Sequence, residues 1–557
     1  MLTVVTAALL FAGACSDSTG SKTARNELVT RVVVRAAPHS AHIPVVTVTT
    51  SRSATVTVTA TSGRHRVVTP ASTTGTTLRV PVLGLRTDRD YTLSVTAETA
   101  SGVVDRYATD AHYRTPPLPT GFPKFAVTSD PKRVSAGITL IPLISGESGA
   151  LKDPVPGQKK SPLATGRLVG VDETGEVVWY YESELEVISV EPTSHDTLLL
   201  GIDEGSVLNL DGSVREIDML GNTVAAWSSR LAQRSGKTIS AAADGEVPVV
   251  QVAMDSFHHD VRELPNGNLI ALSTELITVD PDKGRKVCPQ SPVERVVGDV
   301  VVEFKRTGEV VGQWPLSAVY DPMTRPGTDL CTPNAATPDG WMYPGVTDER
   351  DWTHANAVTV DEAHNTLIVS LRQLDAVIGL RYRADGSGPA GRLLWELGPH
   401  GDLAMQGDGG VQYHQHSTRL LPDGSLVLFD NGNDRPAGGG DGADQPYSRA
   451  VIYRIDAATR SVTQVWSHRD DNPWGGPSFV PFLGGADPLE GGNVLITYGV
   501  IADSDRRPHT RIVEVAPDLA GGGAGDKVVL DILVGGDTGS GWVSYHAVKI
   551  PSLYPRR

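Results

Sequence analysis

The chain has 557 residues, of which 39% are hydrophobic and 20% are charged, and its formal net charge is −16 at pH 7. This composition is typical of a globular protein, and the length exceeds that of one ordinary domain. The acidic balance and the lack of a basic run disfavour a nucleic-acid partner, because phosphate binding needs a concentrated basic face. No uninterrupted apolar stretch reaches the roughly 18 residues of a conventional membrane span.

Residues 1–27 predict an export leader and a flexible tether. Met1 to Ala14 are almost wholly apolar or small, and Cys15 follows them before a tract rich in Ser, Asp, Thr and Gly. This pattern resembles a bacterial lipoprotein signal with Cys15 as the lipidated residue. Ala12 stands where leucine is usual, and no basic segment precedes the apolar run, which leaves open a start upstream of Met1. We expect a protein of the periplasm or cell envelope, with an ordinary cleaved signal peptide as the alternative.

Residues 28–116 predict a small β-sandwich. Val and Thr alternate in short runs such as Ala54–Ala60 and Thr77–Val82, and β-branched residues at period two are typical of half-buried antiparallel strands. The segment around Tyr91 resembles the corner-tyrosine strand of fibronectin type III modules, so we expect a fibronectin III/Ig-like fold. Residues 117–124 are rich in proline and predict a stiff linker.

Residues 125–557 predict a six-bladed β-propeller in an all-β protein. A closing strand recurs six times, five times ending in tryptophan, at Gly175–Trp179, Asn222–Trp227, Glu309–Trp314, Arg392–Trp395, Ser461–Trp466 and Lys527–Ile532. Short repeated strands with few helices favour radial repetition over a single sandwich. The last apolar segment, Gly541–Ile550, is predicted to add a strand to the first blade and close the ring.

Three histidines stand at the head of similar strand patterns in this region. His259 and His416 lie the same number of residues before an Asn-Gly or Asp-Gly turn and the next apolar strand, and His354 begins a related segment with a longer turn. Equivalent positions of successive repeats lie on the same side of an assembly. We therefore expect the three histidines to converge on one active site. His259 is preferred to its neighbour His258 because His259 matches the register of His416.

Two cysteines remain besides Cys15. Cys288 and Cys331 lie in irregular stretches rich in Pro, Asp and Thr. In an oxidising compartment such a pair is expected to form a disulfide, which would close a long loop. Two unpaired thiols are the alternative.

Three segments around the histidines carry a set of motifs. They are His258-His-Asp-Val-Arg-Glu-Leu-Pro-Asn-Gly-Asn-Leu, then Asp351-Trp-Thr-His-Ala-Asn-Ala-Val with Ser370-Leu-Arg372, and Gln415-His416-Ser with Leu428-Phe-Asp-Asn-Gly432. Together they resemble the corresponding segments of bacterial arylsulfate sulfotransferases. The resemblance covers roughly residues 125–555. It implies a six-bladed propeller, often preceded by a small β-sandwich, in an exported protein.

The same resemblance implies a reaction and roles for four residues. A sulfuryl group would pass from a phenolic sulfate ester to another phenol through a sulfohistidine, independently of the nucleotide donor PAPS. His416 would be the nucleophile, while His259, His354 and Arg372 would bind the sulfuryl oxygens and assist proton transfer. A neutral imidazole is a competent nucleophile, and arginine offers paired donors to an anion. No phosphate-binding loop motif is present, and we expect neither a cofactor nor a metal.

Two other functions remain open from the sequence. The histidines could ligate a metal in a metal-dependent propeller enzyme, or the propeller could bind small aromatic ligands without catalysis. Four aromatic residues near the predicted site are candidates for stacking on a phenol: Trp341, Trp352, Tyr413 and Tyr545. The sequence fixes neither the physiological donor and acceptor nor the oligomeric state.

Overall fold

A computed structural model describes most of the chain. The described residues are 28–145, 166–183, 185–203, 212–234, 247–332, 342–343, 345–346, 348–436, 445–535 and 541–555. The chain divides into two compact units, residues 1–119 and 120–557. Within the described ranges, no helix is long and apolar enough to cross a membrane.

The first unit contains six antiparallel strands: β1 (Val29–Ala37), β2 (Ser40–Ser62), β3 (His65–Val68), β4 (Gly75–Pro81), β5 (Asp90–Glu98) and β6 (Val104–Arg114). The first part of β2 pairs with β1 and β4, and its second part pairs with β3 and β5. Burial alternates along β5, as the period-two pattern predicts. Tyr91 is fully buried, and its hydroxyl accepts a hydrogen bond from the Arg86 amide at 2.8 Å. The fibronectin-like sandwich stays a prediction.

Two 3₁₀ helices, Leu316–Ala318 and Arg372–Leu374, occur in the described part of the second unit. That part also contains the remaining strands and two short α-helices. In chain order they are β7 (Phe125–Ser129), β8 (Ile138–Ser145), β9 (Gly166–Val171), β10 (Val177–Ser183), β11 (Glu186–Pro192), β12 (Leu198–Asp203), β13 (Ser213–Ile217), β14 (Thr223–Ser228), α1 (Arg230–Arg234), β15 (Val249–Gln251), β16 (His258–Glu263), β17 (Leu269–Thr278), α2 (Pro281–Val287), β18 (Arg295–Phe304), β19 (Val310–Pro315), β20 (Glu349–Asp351), β21 (Ala355–Asp361), β22 (Thr366–Leu371), β23 (Ala376–Arg381), β24 (Leu393–Leu397), β25 (Ala404–Gln406), β26 (His416–Leu420), β27 (Leu426–Asp430), β28 (Arg449–Asp456), β29 (Ser461–His468), β30 (Gly485–Pro488), β31 (Val494–Ala502), β32 (Pro508–Ala516), β33 (Lys527–Val534), β34 (Trp542–Val543) and β35 (Val548–Ile550).

These strands form six sheets that are the blades of a propeller, which confirms the predicted fold class. Blade 1 contains β8–β10 with β34 and β35, blade 2 contains β11–β15, and blade 3 contains β16–β20. Blade 4 contains β21–β24, blade 5 contains β25–β29, and blade 6 contains β30–β33 with β7. The first strands of blades 2 to 6 contact one another in order, and β35 contacts β11. These strands therefore surround the axis.

Both ends of the second unit close the ring. At the C-terminal end, β34 and β35 pair with β8, which confirms the strand predicted for Gly541–Ile550. At the other end, β7 pairs with β33, so Leu530 to Val534 face Ser129 to Phe125. This second closure was not predicted from the sequence. An added outer strand covers a sheet edge that would otherwise leave unpaired backbone groups.

A disulfide joins Cys288, directly after α2, to Cys331. The two residues lie 43 positions apart in sequence. On the chain-entropy model, closing a loop of this length stabilises the folded chain by about 4 kcal/mol.

Candidate active site

The predicted histidines lie at the same end of three neighbouring inner strands. His416 begins β26, His259 is the second residue of β16, and His354 directly precedes β21. Because β16, β21 and β26 contact each other in this order, their first residues meet. The ring centroids of His259 and His354 are 4.9 Å apart. The propeller thus brings together histidines separated by many residues in sequence.

One cavity of about 240 Å³ is bordered by all four residues predicted to act. Besides His259, His354, Arg372 and His416, its polar lining includes His258 and Asp260. Most of the wall is apolar and comes from Ile144, Ile188, Ile202, Val214, Phe257, Val261, Phe482 and Leu483. The cavity therefore offers a small polar end and a larger apolar space.

The pairing of β16 with β17 differs from the expectation that His259 is the structural equivalent of His416. In blade 5, His416 of β26 pairs with Phe429 of β27. Leu272 of β17 is the blade 3 residue equivalent to Phe429, and it pairs with His258. The bulge after His258 contains one residue more than the bulge after His416, since pairing resumes at Val261 opposite Ala271. His258 is therefore the ladder counterpart of His416, although His259 matches it in the linear sequence. Both His258 and His259 line the cavity.

Three residues at these strand starts have left-handed backbone conformations: His259 (φ 53°), His354 (φ 47°) and Ser417 (φ 55°). Residues other than glycine seldom adopt positive φ, and such conformations persist only where surrounding structure imposes them. Bulges at strand starts redirect side chains. This local distortion accompanies the placement of His259 and His354 on the cavity.

Asn431 fixes the tautomer of His416. Its side-chain amide donates to the carbonyl oxygens of Val480 and Leu483, each at 2.8 Å. The Asn431 Oδ1 atom is therefore the acceptor that faces His416 Nδ1 at 2.7 Å. His416 Nδ1 must carry the proton, which leaves the Nε2 lone pair available to a ligand.

His354 is oriented by a carboxylate. Its Nδ1 lies 2.5 Å from Asp351 Oδ2, which also accepts from Gln373 Nε2 at 3.3 Å. The His354 carbonyl accepts the backbone amide of Arg372 at 3.1 Å. His354 and Arg372 are thereby tied to each other, and His354 Nε2 is the nitrogen left for a ligand.

Arg372 follows β22 and brings a cation to the cavity. One terminal nitrogen donates to the Pro481 carbonyl at 3.2 Å, whereas the buried Nε has no hydrogen-bond partner among the described residues. Burial lowers the pKa of Arg372, and the charges of Asp351, Asp329 and Asp375 oppose that shift. A guanidinium stays protonated far above neutral pH, so Arg372 remains a cation with one donor that no described residue uses.

Two of the cavity histidines, His259 and His416, have lowered pKa values and are held in the uncharged form at neutral pH. Burial, followed by the positive charge of Arg372, lowers the pKa of His416 well below 6.5. Burial and the neighbouring His354 and His258 lower the pKa of His259 in the same direction. His416 is only 2% exposed. A neutral, oriented imidazole is thus available next to a cation.

Of the aromatic residues predicted to stack on a phenol, one lines the cavity and another is packed in the protein core. Tyr545 lines the cavity, and its ring centroid is 6.0 Å from that of His416. Trp352 is fully buried in a hydrophobic core, and Tyr413 does not border the cavity. Trp341 lies outside the described residues. Of the three aromatic candidates that the structure describes, Tyr545 is the one that lines the cavity.

Sequence reasoning missed the residues that orient the histidines. Asp351 and Asn431 lie in the segments that carry the family resemblance, but their contacts could not be read from those segments. Asp299 was not predicted either, although an acidic residue between the valine runs of β18 is an unusual feature. Its position is 3% exposed. A buried carboxylate needs partners, so it signals a polar site.

Within the described part of the chain, no group of three or more His, Cys, Asp or Glu residues is arranged to hold a metal ion. The cavity histidines are paired with carboxylates, with an amide and with each other.

A family model described as Arylsulfotransferase (ASST) matches residues 153–521. The chain belongs to the arylsulfotransferase family. The match covers the greater part of the chain and contains all four arylsulfotransferase site residues predicted from the sequence: His259, His354, Arg372 and His416.

Two curated relatives of this arylsulfotransferase family member are named arylsulfate sulfotransferase AssT. The relative from Escherichia coli O6:H1 (strain CFT073) is 27% identical over 252 residues, which cover 38% of this chain and 40% of the relative. The relative from Lelliottia amnigena is 26% identical over 214 residues, which cover 31% of this chain and 35% of the relative. The chain thus spans well under half the length of the curated relatives it matches.

Solved structures give weaker likenesses. The Pseudomonas aeruginosa periplasmic gluconolactonase PpgL is 16% identical, with a TM-score of 0.28, and the match covers 89% of this chain and all of that chain. The Kuenenia stuttgartiensis hydrazine synthase is 13% identical, with a TM-score of 0.25, and the match covers 75% of this chain and 96% of that chain. At these TM-scores the likenesses support no conclusion.

Proposed function

We propose that the protein is an aryl sulfotransferase that moves a sulfuryl group from a phenolic sulfate ester to a phenol, independently of PAPS, through a sulfohistidine on His416. The observation that carries this proposal is the pairing of His416 with Asn431, which leaves Nε2 unprotonated beside Arg372. Membership of the arylsulfotransferase family supports the reaction class.

In the first step, His416 Nε2 attacks the sulfur of the donor. An N–S bond forms, the S–O bond to the aryl group breaks, and a phenolate leaves. Negative charge on the sulfuryl oxygens is stabilised by donors already in place, which act strongly in a site shielded from water. The guanidinium of Arg372 and His354 Nε2, when protonated, are the groups for that task.

In the second step, the oxygen of the acceptor phenol attacks the same sulfur. The N–S bond breaks, which returns the lone pair to His416 Nε2, and a base takes the phenol proton. General acid–base catalysis of this kind contributes about 10²–10⁴-fold. The division into two displacements predicts ping-pong kinetics.

The apolar wall supports an aryl substrate. Ile188, Ile202, Val214 and Phe257 face the cavity, and each buried CH₂ group of a substituent gains about 0.8 kcal/mol. Among the lining residues, Asp260 is the one carboxylate, and its Oδ2 already accepts from the Val358 amide and from Arg419. We propose uncharged phenols as acceptors and their sulfate esters as donors.

We further propose export to the periplasm or cell envelope with a lipid anchor at Cys15. Cys15 lies outside the described residues. The disulfide between Cys288 and Cys331 supports an oxidising compartment, because such bonds are rare where thiols are kept reduced.

An assay of the purified protein with 4-nitrophenyl sulfate tests the proposed reaction. We expect nitrophenol release that depends on an added phenol and an equal amount of aryl sulfate product. Donor alone should leave an acid-labile sulfuryl group on His416, detected by mass spectrometry at neutral pH. Turnover that requires a stoichiometric metal would contradict the proposal. Tight binding of phenols without release of nitrophenol would instead support a non-catalytic propeller.

The pH dependence of the first step is a separate prediction. Protonation of Nε2 would block attack, and burial lowers the pKa of His416 well below 6.5. The nucleophile therefore stays active below the pH at which a free histidine is half protonated. We expect the acid limb of nitrophenol release in the pre-steady-state burst to lie clearly below pH 6.5. A limb at or above 6.5 would contradict the neutral, buried state of His416.

A further inference from the structure

A second histidine and a buried carboxylate lie behind His259. His258 Nδ1 is 2.8 Å from His259 Nδ1, and the two rings are perpendicular, with centroids 5.1 Å apart. On its other side, His258 Nε2 is 3.3 Å from Asp299 Oδ1. The three side chains form a continuous line from the cavity into the protein interior, where the His258 and Asp299 side chains are 1% and 4% exposed.

The Asp299 carboxylate is itself held firmly. Its Oδ2 accepts hydrogen bonds from the Thr353 hydroxyl and from the Ala355 amide, both at 2.6 Å. These two residues flank His354. Asp299, on blade 3, therefore fixes the start of blade 4 while its other oxygen faces His258.

The contacts dictate where the protons lie. The Asp299 carboxylate lies at ion-pair distance from His258 Nε2 without hydrogen-bond geometry, and its negative charge favours a proton on that nitrogen, so in the neutral ring His258 Nδ1 is an acceptor. His259 Nδ1 must then be the donor in the contact between the rings. The nitrogen of His259 left for the cavity is an unprotonated Nε2, which is the form a proton acceptor needs.

We propose that Asp299 and His258 are positioning residues that make His259 the proton acceptor for the incoming phenol. This inference rests on the proposed function. When His259 Nε2 takes the phenol proton, its Nδ1 proton passes to His258 Nδ1. The new positive charge then lies on His258, beside Asp299 and one residue farther from the cavity.

Transfer of the positive charge from His259 to His258 is electrostatically favourable. Burial, and the charge that a protonated His354, His258 or His416 or the Arg372 cation would place nearby, lower the pKa of His259 and disfavour an imidazolium there. Moving the charge to His258 places it next to a carboxylate, where an opposite charge at close range stabilises it. The relay thus lets a weakly basic His259 complete a proton transfer.

The first experiment measures the tautomers directly and does not depend on activity. ¹⁵N-histidine-labelled full-length protein is observed by two-dimensional ¹H–¹⁵N NMR at neutral pH, and the His259 signals are assigned by their loss in His259→Gln. We expect His259 to be protonated on Nδ1 and unprotonated on Nε2. Protonation on Nε2 instead overturns the relay, whether or not the protein transfers sulfuryl groups.

The second experiment uses Asp299→Asn. With the Asn oxygen bound to the Ala355 amide, its NH₂ group faces His258 Nε2 and reverses both tautomers, so that His259 Nε2 becomes protonated. We expect transfer from sulfo-His416 to a phenol to slow on the order of 100-fold. The nitrophenolate burst should slow far less, because that leaving group needs little help from a proton.

A matched control is Asp361→Asn, which alters an exposed His–Asp pair with His364 at 2.7 Å. This control should leave both steps unchanged. Equal slowing of the burst and of the phenol transfer in Asp299→Asn would indicate a structural role and overturn the relay. His258→Asn should reproduce the selective loss. If Asp299→Asn does not fold, His258→Asn and the tautomers of the unmodified protein decide the question.

Discussion

Replacing His416 by asparagine is expected to abolish sulfuryl transfer. The variant lacks the Nε2 lone pair that would form the N–S bond, and nothing else in the cavity has the same position. Removal of a covalent nucleophile lowers turnover by about 10⁴-fold or more in enzymes that depend on one. Steady-state nitrophenol release and mass spectrometry of the donor-treated protein measure the two consequences, which are loss of turnover and loss of the modification.

His364→Asn is the matched control for this variant. The His364 side chain is 74% exposed on an outer turn of blade 4 and borders no part of the cavity. It should retain full turnover and the modification. If His416→Asn folds, as judged by its thermal unfolding, and still releases nitrophenol at an undiminished rate, another group is the nucleophile.

Substitution of Arg372 by lysine is expected to have the second-largest effect. Lysine keeps the charge but loses the planar set of donors, including the buried Nε–H that has no partner among the described residues. Loss of one preorganised donor to a developing negative charge costs about 10²–10³-fold in kcat. We expect kcat and kcat/KM to fall together, because the interaction strengthens as the sulfuryl group is transferred.

Arg454→Lys provides the comparison for Arg372→Lys. The Arg454 side chain is 63% exposed and lies 3.7 Å from Asp423, so its loss should not change turnover. A higher KM with unchanged kcat in Arg372→Lys would show that Arg372 binds the donor without favouring the transition state.

The propeller could be predicted because its signal is repeated. Six closing strands of similar pattern indicated six blades, and the sheets bear this out. The strand β7 was not anticipated, since five residues of moderate burial resemble any short strand and gain meaning only from their pairing with β33. A strand pattern that recurs can be recognised in a single sequence, whereas a strand that occurs once cannot be recognised by comparison with other repeats.

The linear sequence determined which side chains are available: His259, His354 and His416 near the starts of three successive blades, and Arg372 after the second strand of blade 4. Only the tertiary structure decided their geometry and protonation. The extra residue in the bulge of β16 made His258, not His259, the ladder counterpart of His416. The partners Asn431 and Asp351 orient His416 and His354, and the contact of Asp351 with His354 joins blade 3 to blade 4. Residue identity is local, but hydrogen bonding and burial depend on the whole ring.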